Sequence, residues 1–454
     1  MSISKDKQIF SNQKLKKLIL PLIVEQALLL SVGMIDTLMI AGVGEAQVSG
    51  VSLVDMINNL IIVLFSALAT GGTVVVSQFI GANQPEQARR SAMQLLVVTL
   101  GLSLSIMGLC LAFTEPLVAL FFGQIEPDVY EYSTVYFLIT ALSFPFIAIY
   151  NCCAALFRAM GNSKVSMLSS LFSNVLNVIG NYVLIYGIQW GVAGAAAATT
   201  LSRGAAMVFV LVLLTNRQNL IHISFREKFR LELPLVKRIL FIGIPSSIEN
   251  SIFQLGRVVV VSIIAGFGTV QIAANAVANT IDSLGCIVGQ AMSMAILTIV
   301  GQCVGMGDYS VVRYYIKKCM KINYALHGAW NAVLLLLLPM MISWFNLSAE
   351  TAELATILIL IHNGSGILLW PVSFSFPNAL RAANDVRFTM VVSILSMILL
   401  RVTASYVLGA LLGWGAIGVW VAMVADWVAR SVCFLLRYRS GKWMIYQKET
   451  QSLQ

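Results

Sequence analysis

Acidic residues and arginines stand inside long apolar stretches of this chain: Glu25, Asp36, Asp55, Arg203, Glu249, Arg257, Asp282, Arg401 and Asp426, with Arg430 near the end of the last stretch. Each costs roughly 2.5–3.5 kcal/mol to place in hydrocarbon, so each needs a partner or a task. The chemistry open to them is narrow. No GxxxxGK[ST] loop is present to hold a nucleoside triphosphate, and neither HExxH nor GxSxG occurs. His222, His327 and His362 are far apart in sequence and not at metal-ligand spacing. No nucleophile with a base in reach is legible, so the chain does not read as an enzyme. Carboxylates within a membrane can take up a proton or a small cation and release it on the other side.

The stretches that carry these charges set the fold. Apolar residues make up 58% of the chain and charged ones 11%, against roughly a quarter charged in soluble domains. Runs long enough to cross a bilayer as helix fall at 16–42, 50–80, 92–114, 132–156, 164–187 and 191–216. A second set follows at 237–265, 275–305, 317–344, 353–379, 388–412 and 414–438. The expected class is an all-α integral membrane protein with about twelve transmembrane helices.

The two sets repeat each other at one constant offset. Pro21, Glu25, Ala41, Gly42, Gly44 and Gln47 recur as Pro245, Glu249, Ala265, Gly266, Gly268 and Gln271. Gln78, Gly81 and Arg89 return as Gln302, Gly305 and Arg313, and Tyr182, Trp190, Gly191 and Gly194 as Tyr406, Trp414, Gly415 and Gly418. An internal repeat that fills an apolar chain is the signature of a two-lobed transporter. Six spans per copy give both lobes the same topology, related by an axis along the membrane normal. The expected division is a first six-helix lobe at 1–216, a cytoplasmic linker at 217–236 and a second lobe at 237–454.

A net charge of +9 does not point to nucleic acid, because of where it sits. Alternate connections carry Lys5, Lys7, Lys14, Lys16, Lys17, Arg89, Arg90, Arg158 and Lys164, then the cluster from Arg217 to Arg238. The same side holds Arg313, Lys317, Lys318, Arg381, Arg387, Arg437, Arg439, Lys442 and Lys448. The opposite connections hold no Lys or Arg, only Glu45, Glu115, Glu126, Asp128, Glu131 and Glu350. The positive-inside rule then places both termini in the cytoplasm of a multi-pass protein of the cell membrane, with an uncleaved first helix. The seven cysteines lie mostly within spans and form no disulfide framework.

At 1.5 Å per residue, Asp36 lies ~9 Å below the outer end of its span, Asn181 ~9 Å, Thr199 ~12 Å and Asn177 ~15 Å. Three helices thus put a carboxylate, two amides and a hydroxyl in one layer, with Asn177 and Asn181 on one face at i and i+4. This set suits a proton on Asp36 or a small cation held by oxygens. The alternative is that the amides bond across helices to a neutral, inert Asp36. The absence of a basic residue at its depth favours a counter-cation.

The second copy replaces Asp36 by Val260, Asn177 by Arg401 and Asn181 by Ser405. Its charges balance, Arg257 and Arg401 against Asp282 and Asp426, and are expected to pair in a structural or gating network. Glu25 and Glu249, shared by the copies, read as structural or gating groups, with Arg203 as the expected partner of Glu25. Asp55 is expected near a hydrated outer rim, as a second-choice proton carrier. Pro21 removes a helix hydrogen bond and is a candidate hinge.

The segments PLIVEQ…MIDTLMIAGVG (21–44), SQFIGANQPEQARR (77–90), ALFRAMGNSK (155–164) and NVLNVIGNYVLIYG (174–187) resemble those of the multidrug and toxic compound extrusion (MATE) transporters, of the DinF-like bacterial type. So do GIPSSIEN (243–250), GQCVGMGD (301–308) and WGAIGVW (414–420), and the resemblance covers essentially the whole chain. It implies export of organic cations or amphiphilic compounds, coupled to protons or sodium, by alternating access. It implies no cofactor beyond the coupling ion, small molecules and membrane lipid as partners, no nucleic acid, and function as a monomer. The family's first-helix Asp falls on Asp36 and its fifth-helix Asn on Asn177. Four residues later, where the archaeal and DinF-like branch has Asp, this chain has Asn181, which leaves one carboxylate for a proton or a sodium ion. The seventh-helix acid of the NorM-like branch falls on Phe253, so its role does not pass to Glu249. The expected coupling site is Asp36, Asn177, Asn181 and Thr199. A lipid-linked saccharide flippase is the alternative cargo reading, and would want several basic residues where only Arg257 and Arg401 are available.

Overall fold

The structure, a computed structural model, describes residues 9–123, 126–224 and 230–444. Lys5, Lys7, Lys448 and linker residues 225–229, which enter the charge argument, lie outside the described residues. Every regular element among those described is helical: α1 Asn12–Ala41, α2 Glu45–Gly81, α3 Pro85–Ala112, α4 Thr114–Phe122, α5 Pro127–Ala141, α6 Phe144–Ala159, α7 Ser163–Gly187 and α8 Gly191–Leu214. Then follow α9 Leu233–Ala265, α10 Thr269–Gly305, α11 Tyr309–Ser343, α12 Ala349–Ala382, α13 Val386–Leu411 and α14 Gly415–Arg439. Eleven are long and apolar enough to cross a membrane, and the pair α5 and α6, bent by 48°, makes a twelfth if it is counted as one span. Only α4 falls outside the expected set. It is a nine-residue helix in the acidic connection, too short to cross.

The repeat is carved into the backbone as well as the sequence. Left-handed residues recur in equivalent turns: Asn83 with Gly307, Gln189 with Gly413, and Gly191 with Gly415. The last turn before each tight hairpin widens to π geometry, at Tyr182–Gly187 and at Tyr406–Leu411. Both ends of these two turns keep the offset that relates Pro21 to Pro245.

The chain forms two compact units, Lys14–Ser247 and Ile248–Gln454 with Met1–Gln13. The break between these units falls inside α9. The reason lies in α2. A Cβ on Gly71 would stand 2.6 Å from the Ile239 carbonyl oxygen and 2.8 Å from the Gly243 nitrogen. The first half of α9 therefore lies backbone to backbone on α2, and Arg238 Nη2 donates to Gln78 Oε1 at 2.7 Å. Described linker residues are tied to the same unit, with Gln94 Nε2 donating to the Arg230 carbonyl at 2.7 Å and Arg89 meeting His222 at 3.0 Å. Phe10 belongs to the second unit, where its backbone N–H donates to the Tyr315 hydroxyl at 2.9 Å.

Each unit has its own core. In the first, Val54, Phe65, Phe137, Phe144 and Ala195 pack together; in the second, Ile281, Leu358, Trp370, Trp420 and Trp427 do so.

Candidate functional site

Small residues make the first-unit cluster possible. A Cβ on Gly180 would stand 3.0 Å from Ala198 Cβ, and one on Gly194 would stand 2.9 Å from the Leu184 carbonyl. This close approach of α7 and α8 sets Asn177 beside Thr199. Two further bonds fix α1 against α7 on either side of Asp36. Asn174 Nδ2 donates to the Leu28 carbonyl at 3.0 Å, and the Tyr186 hydroxyl donates to the Met39 carbonyl at 2.6 Å.

Between these ties the four expected residues form one continuous hydrogen-bonded row. Asn181 Nδ2 donates to Asp36 Oδ1 at 2.7 Å and to Asn177 Oδ1 at 3.3 Å. Asn177 Nδ2 donates to Thr199 Oγ1 at 3.2 Å. Asn181 is 1% exposed, yet its Oδ1 has no hydrogen-bond partner among the described residues. A buried carbonyl oxygen without a donor costs about 1–3 kcal/mol. Here it sits on the residue that grips the carboxylate, which makes it a ready ligand for a cation.

The surroundings differ from expectation in two respects. Asp55, expected at a hydrated rim, is bonded to neighbouring side chains roughly 15 Å along α2 from Glu45. There it takes the Tyr136 hydroxyl at 3.4 Å and Asn58 Nδ2 at 3.5 Å on one oxygen. Its charge is felt at Asp36. Arg203 likewise does not serve Glu25. Its Nη1 donates to Ser143 Oγ at 2.7 Å, and its charge reaches both Asp36 and Asp55. The pocket thus holds two carboxylates and one guanidinium, and the expectation of a lone carboxylate without a basic neighbour gives way. Left ionised, the three groups sum to one negative charge.

Glu25 instead meets Arg158 Nη1 at 3.0 Å and accepts from Ser166 Oγ at 2.6 Å. Glu249 meets Arg381 Nη2 at 2.6 Å, with Arg430 at 3.9 Å. Each unit therefore carries the same Glu–Arg pair. The glutamates keep the offset of the repeat, whereas Arg381 falls one position short of it relative to Arg158. That slip hides the match from a fixed-offset reading.

The second-unit network is wired otherwise than expected. Asp282 Oδ1 meets His362 Nε2 at 2.6 Å and takes the Cys286 thiol at 3.3 Å. No ion pair within 4 Å joins Arg257 or Arg401 to Asp282 or Asp426 among the described residues. Arg401 lies over the Phe253 ring at 5.6 Å, and Arg430 over Phe374 at 4.6 Å. Asp426 is fully buried with both oxygens unbonded among the described residues, though the charges of Arg401 and Arg430 reach it. The wide sequence separation of the histidines hides the Asp282–His362 contact. The signal available is Asp282 and Cys286 at i and i+4 on one apolar helix. Asp385, outside the sequence-derived set, is fully buried and takes two bonds from Arg437 at 2.7 and 3.0 Å. Pro21 lies within an unbroken α1.

The MatE family model matches residues 21–183 and 245–407, so its two matches begin at the paired prolines Pro21 and Pro245. An uncharacterised transporter, YisQ, of Bacillus subtilis (strain 168) is 28% identical over 436 residues, 93% of each chain. A probable multidrug resistance protein, NorM, of Thermotoga maritima is 26% identical over 95% of this chain and 93% of the relative. Among solved structures, a MOP superfamily transporter from Pyrococcus furiosus superposes with a TM-score of 0.88 at 21% identity, covering 98% of this chain and 99% of the other. An outward-facing multidrug resistance MATE family transporter gives 0.88 at 22%, covering 95% and 96%. With both copies matched and the fold shared throughout, this chain is a multi-pass membrane protein that belongs to the MATE (MatE) family of transporters.

Proposed function

We propose that the protein is a secondary antiporter that exports organic cations or amphiphilic compounds in exchange for a proton or a sodium ion taken up at Asp36. The observation that carries this reading is the unbonded Asn181 Oδ1 beside the Asp36–Asn181–Asn177–Thr199 row. A buried acceptor next to a carboxylate is completed by a cation, and Asp55 and Arg203 tune the charge that cation meets. A pocket with one net negative charge suits one monovalent ion per cycle. The names of the relatives, probable multidrug resistance proteins, support drug-like cargo. Exchange needs only that cation and cargo prefer opposite states of the transporter.

In this reading the basic connections face the cytoplasm, the protein lies in the cell membrane, and one chain suffices for transport. Glu25–Arg158 and Glu249–Arg381 hold helix ends, and Pro21 bends α1 during the cycle.

The test is transport of a fluorescent organic cation in vesicles under an imposed proton or sodium gradient, wild type against Asp36→Asn. Gradient-driven export by wild type and its loss in the variant are expected. Equal export by both under either gradient refutes coupling through Asp36. The flippase reading draws on Arg257 and Arg401, neither of which is ion-paired within 4 Å to Asp282 or Asp426 among the described residues. Movement of an anionic lipid-linked sugar, and not of the organic cation, would establish it.

A further inference from the structure

The second unit contains a group of donors that the antiport reading does not use. Asp282 and Cys286 lie at i and i+4 on α10, and His362 comes from α12. A carboxylate oxygen, the thiol sulfur and an imidazole nitrogen all lie within 4.8 Å of one another. We propose that Asp282, Cys286 and His362 form a site for a thiophilic divalent cation of the zinc type.

The donor set is the first argument. Carboxylate, imidazole and thiolate all bind zinc at about 2.0–2.3 Å, and three protein ligands with one open position make a complete tetrahedral site. Tetrahedral bonds of that length set ligand atoms roughly 3.3–3.8 Å apart, so Asp282 and His362, at 2.6 Å, must part by under an ångström, and the wider spacings, at most 4.8 Å, must close by about an ångström. A proton shared between Asp282 and His362 would need those two residues alone. Cys286 turned onto the same Asp282 oxygen supplies the third donor, and its softness selects zinc over magnesium or calcium.

Orientation is the second argument. His362 Nδ1 faces Asn363 Oδ1 at 2.8 Å. A hydrogen donated there leaves the Nε2 lone pair directed at the Asp282 oxygen, 2.6 Å away. In that tautomer the two acceptors would share a cation, whereas a hydrogen on Nε2 would bond Asp282 directly and be displaced by the metal. A partner on the far ring nitrogen is the usual support of a metal-binding histidine. The ring is held edge to face by Trp427 at 4.8 Å and Trp420 at 5.8 Å, so it has little freedom to turn away. Access is the third argument. The His362 side chain is 5% exposed, but that of Asp282 is 19% exposed and Cys286 is half-buried, which leaves the open position on their side. The carboxylate and the thiolate offset both charges of the ion, while Arg257 nearby offsets part of theirs.

Occupancy would cross-link α10 to α12, independently of the coupling site in the first unit. The test uses the full-length, detergent-purified protein after chelator treatment, titrated with cobalt(II) and read by absorption. A tetrahedral cobalt spectrum with a thiolate-to-metal band is expected, displaced by zinc. In Cys286→Ser the thiolate band disappears, and in His362→Ala the affinity falls at least roughly tenfold. Cys433→Ser on α14 is the control and keeps the wild-type spectrum. Monodispersity on size exclusion establishes that each variant is folded. Absence of the thiolate band in folded wild type, or its persistence in Cys286→Ser, overturns the proposal.

Discussion

Asn181 spans the gap between two helices by donating both of its amide hydrogens to oxygens, 2.7 Å to Asp36 on α1 and 3.3 Å to Asn177 on its own α7. Its remaining oxygen is left buried with no hydrogen-bond partner among the described residues. Asn181→Asp adds a second carboxylate to this row and makes the pocket more negative. We expect a lower half-saturating concentration of the coupling cation, by about tenfold for each 1.4 kcal/mol gained, and slower turnover because the ion leaves less readily. Transport measured against cation concentration in proteoliposomes checks this. An unchanged or raised half-saturation point would exclude the site.

Arg203 makes the converse prediction. Removing its charge in Arg203→Gln leaves Asp36 and Asp55 without their shared counter-charge. The cation should bind more tightly, by on the order of 1–2 kcal/mol at the effective dielectric of a half-buried site. If Arg203 served only to hold Ser143, the variant would lose stability with no change in cation dependence, and the two readouts separate these roles.

The Glu25–Arg158 pair is buried, with side-chain exposures of 5% and 14%. Breaking one half of such a pair costs about 3–5 kcal/mol because the other charge is stranded. Glu25→Gln and Arg158→Met should each lower the unfolding midpoint in detergent. The double variant should recover much of the loss. Additive losses would show that the residues act separately.

Gly71 and Gly101 should respond in opposite ways to the same added methyl. Gly71→Ala drives a Cβ to 2.6 Å from the Ile239 carbonyl, whereas Gly101 has nothing within 4 Å. The first should destabilise by about 1–3 kcal/mol as α2 and α9 are forced apart. The second should be neutral or mildly stabilising, through the better helix propensity of alanine. Thermal melts of the two variants side by side make the comparison.

The span layout is readable from hydropathy, and the Asp36 cluster from depth counting. Asn177 and Asn181 share a face because helix periodicity requires it, and Asp36 meets them because its depth matches. Sequence and structure part where a side chain's reach or a helix start decides the outcome. The head of α2, from Glu45 to Ser49, is too polar to count as span, and leaving it out sets Asp55 apart from Asp36, at which its charge is felt. Arg203 matches Glu25 as the remaining charge of its lobe, yet Arg158, by sequence a loop cation, is the residue on the adjoining helix. His362 and Asp282 stand on different helices with all of α11 between them, and no local pattern joins them. Contacts between helices distant in sequence depend on which helices are neighbours, which a one-dimensional periodicity does not encode.

The wide turn at Tyr182–Gly187 has a consequence for how this protein can change. A π turn holds one more residue than the α turn it replaces, and it lies between Asn181 and the left-handed Gln189 that starts the hairpin. Six residues wound at about 82° each turn through nearly the same angle as five at 100°, so the wide turn absorbs its extra residue and leaves the phase of Asn181 almost unchanged. A one-residue deletion in the α-helical part of α7, with no wide turn to absorb it, would instead swing the residues beyond it by about 100°. The length of this helix can therefore change at the wide turn with Asn181 still facing Asp36, and nowhere else along it so cheaply. The matching turn at Tyr406–Leu411 gives the second copy the same tolerance.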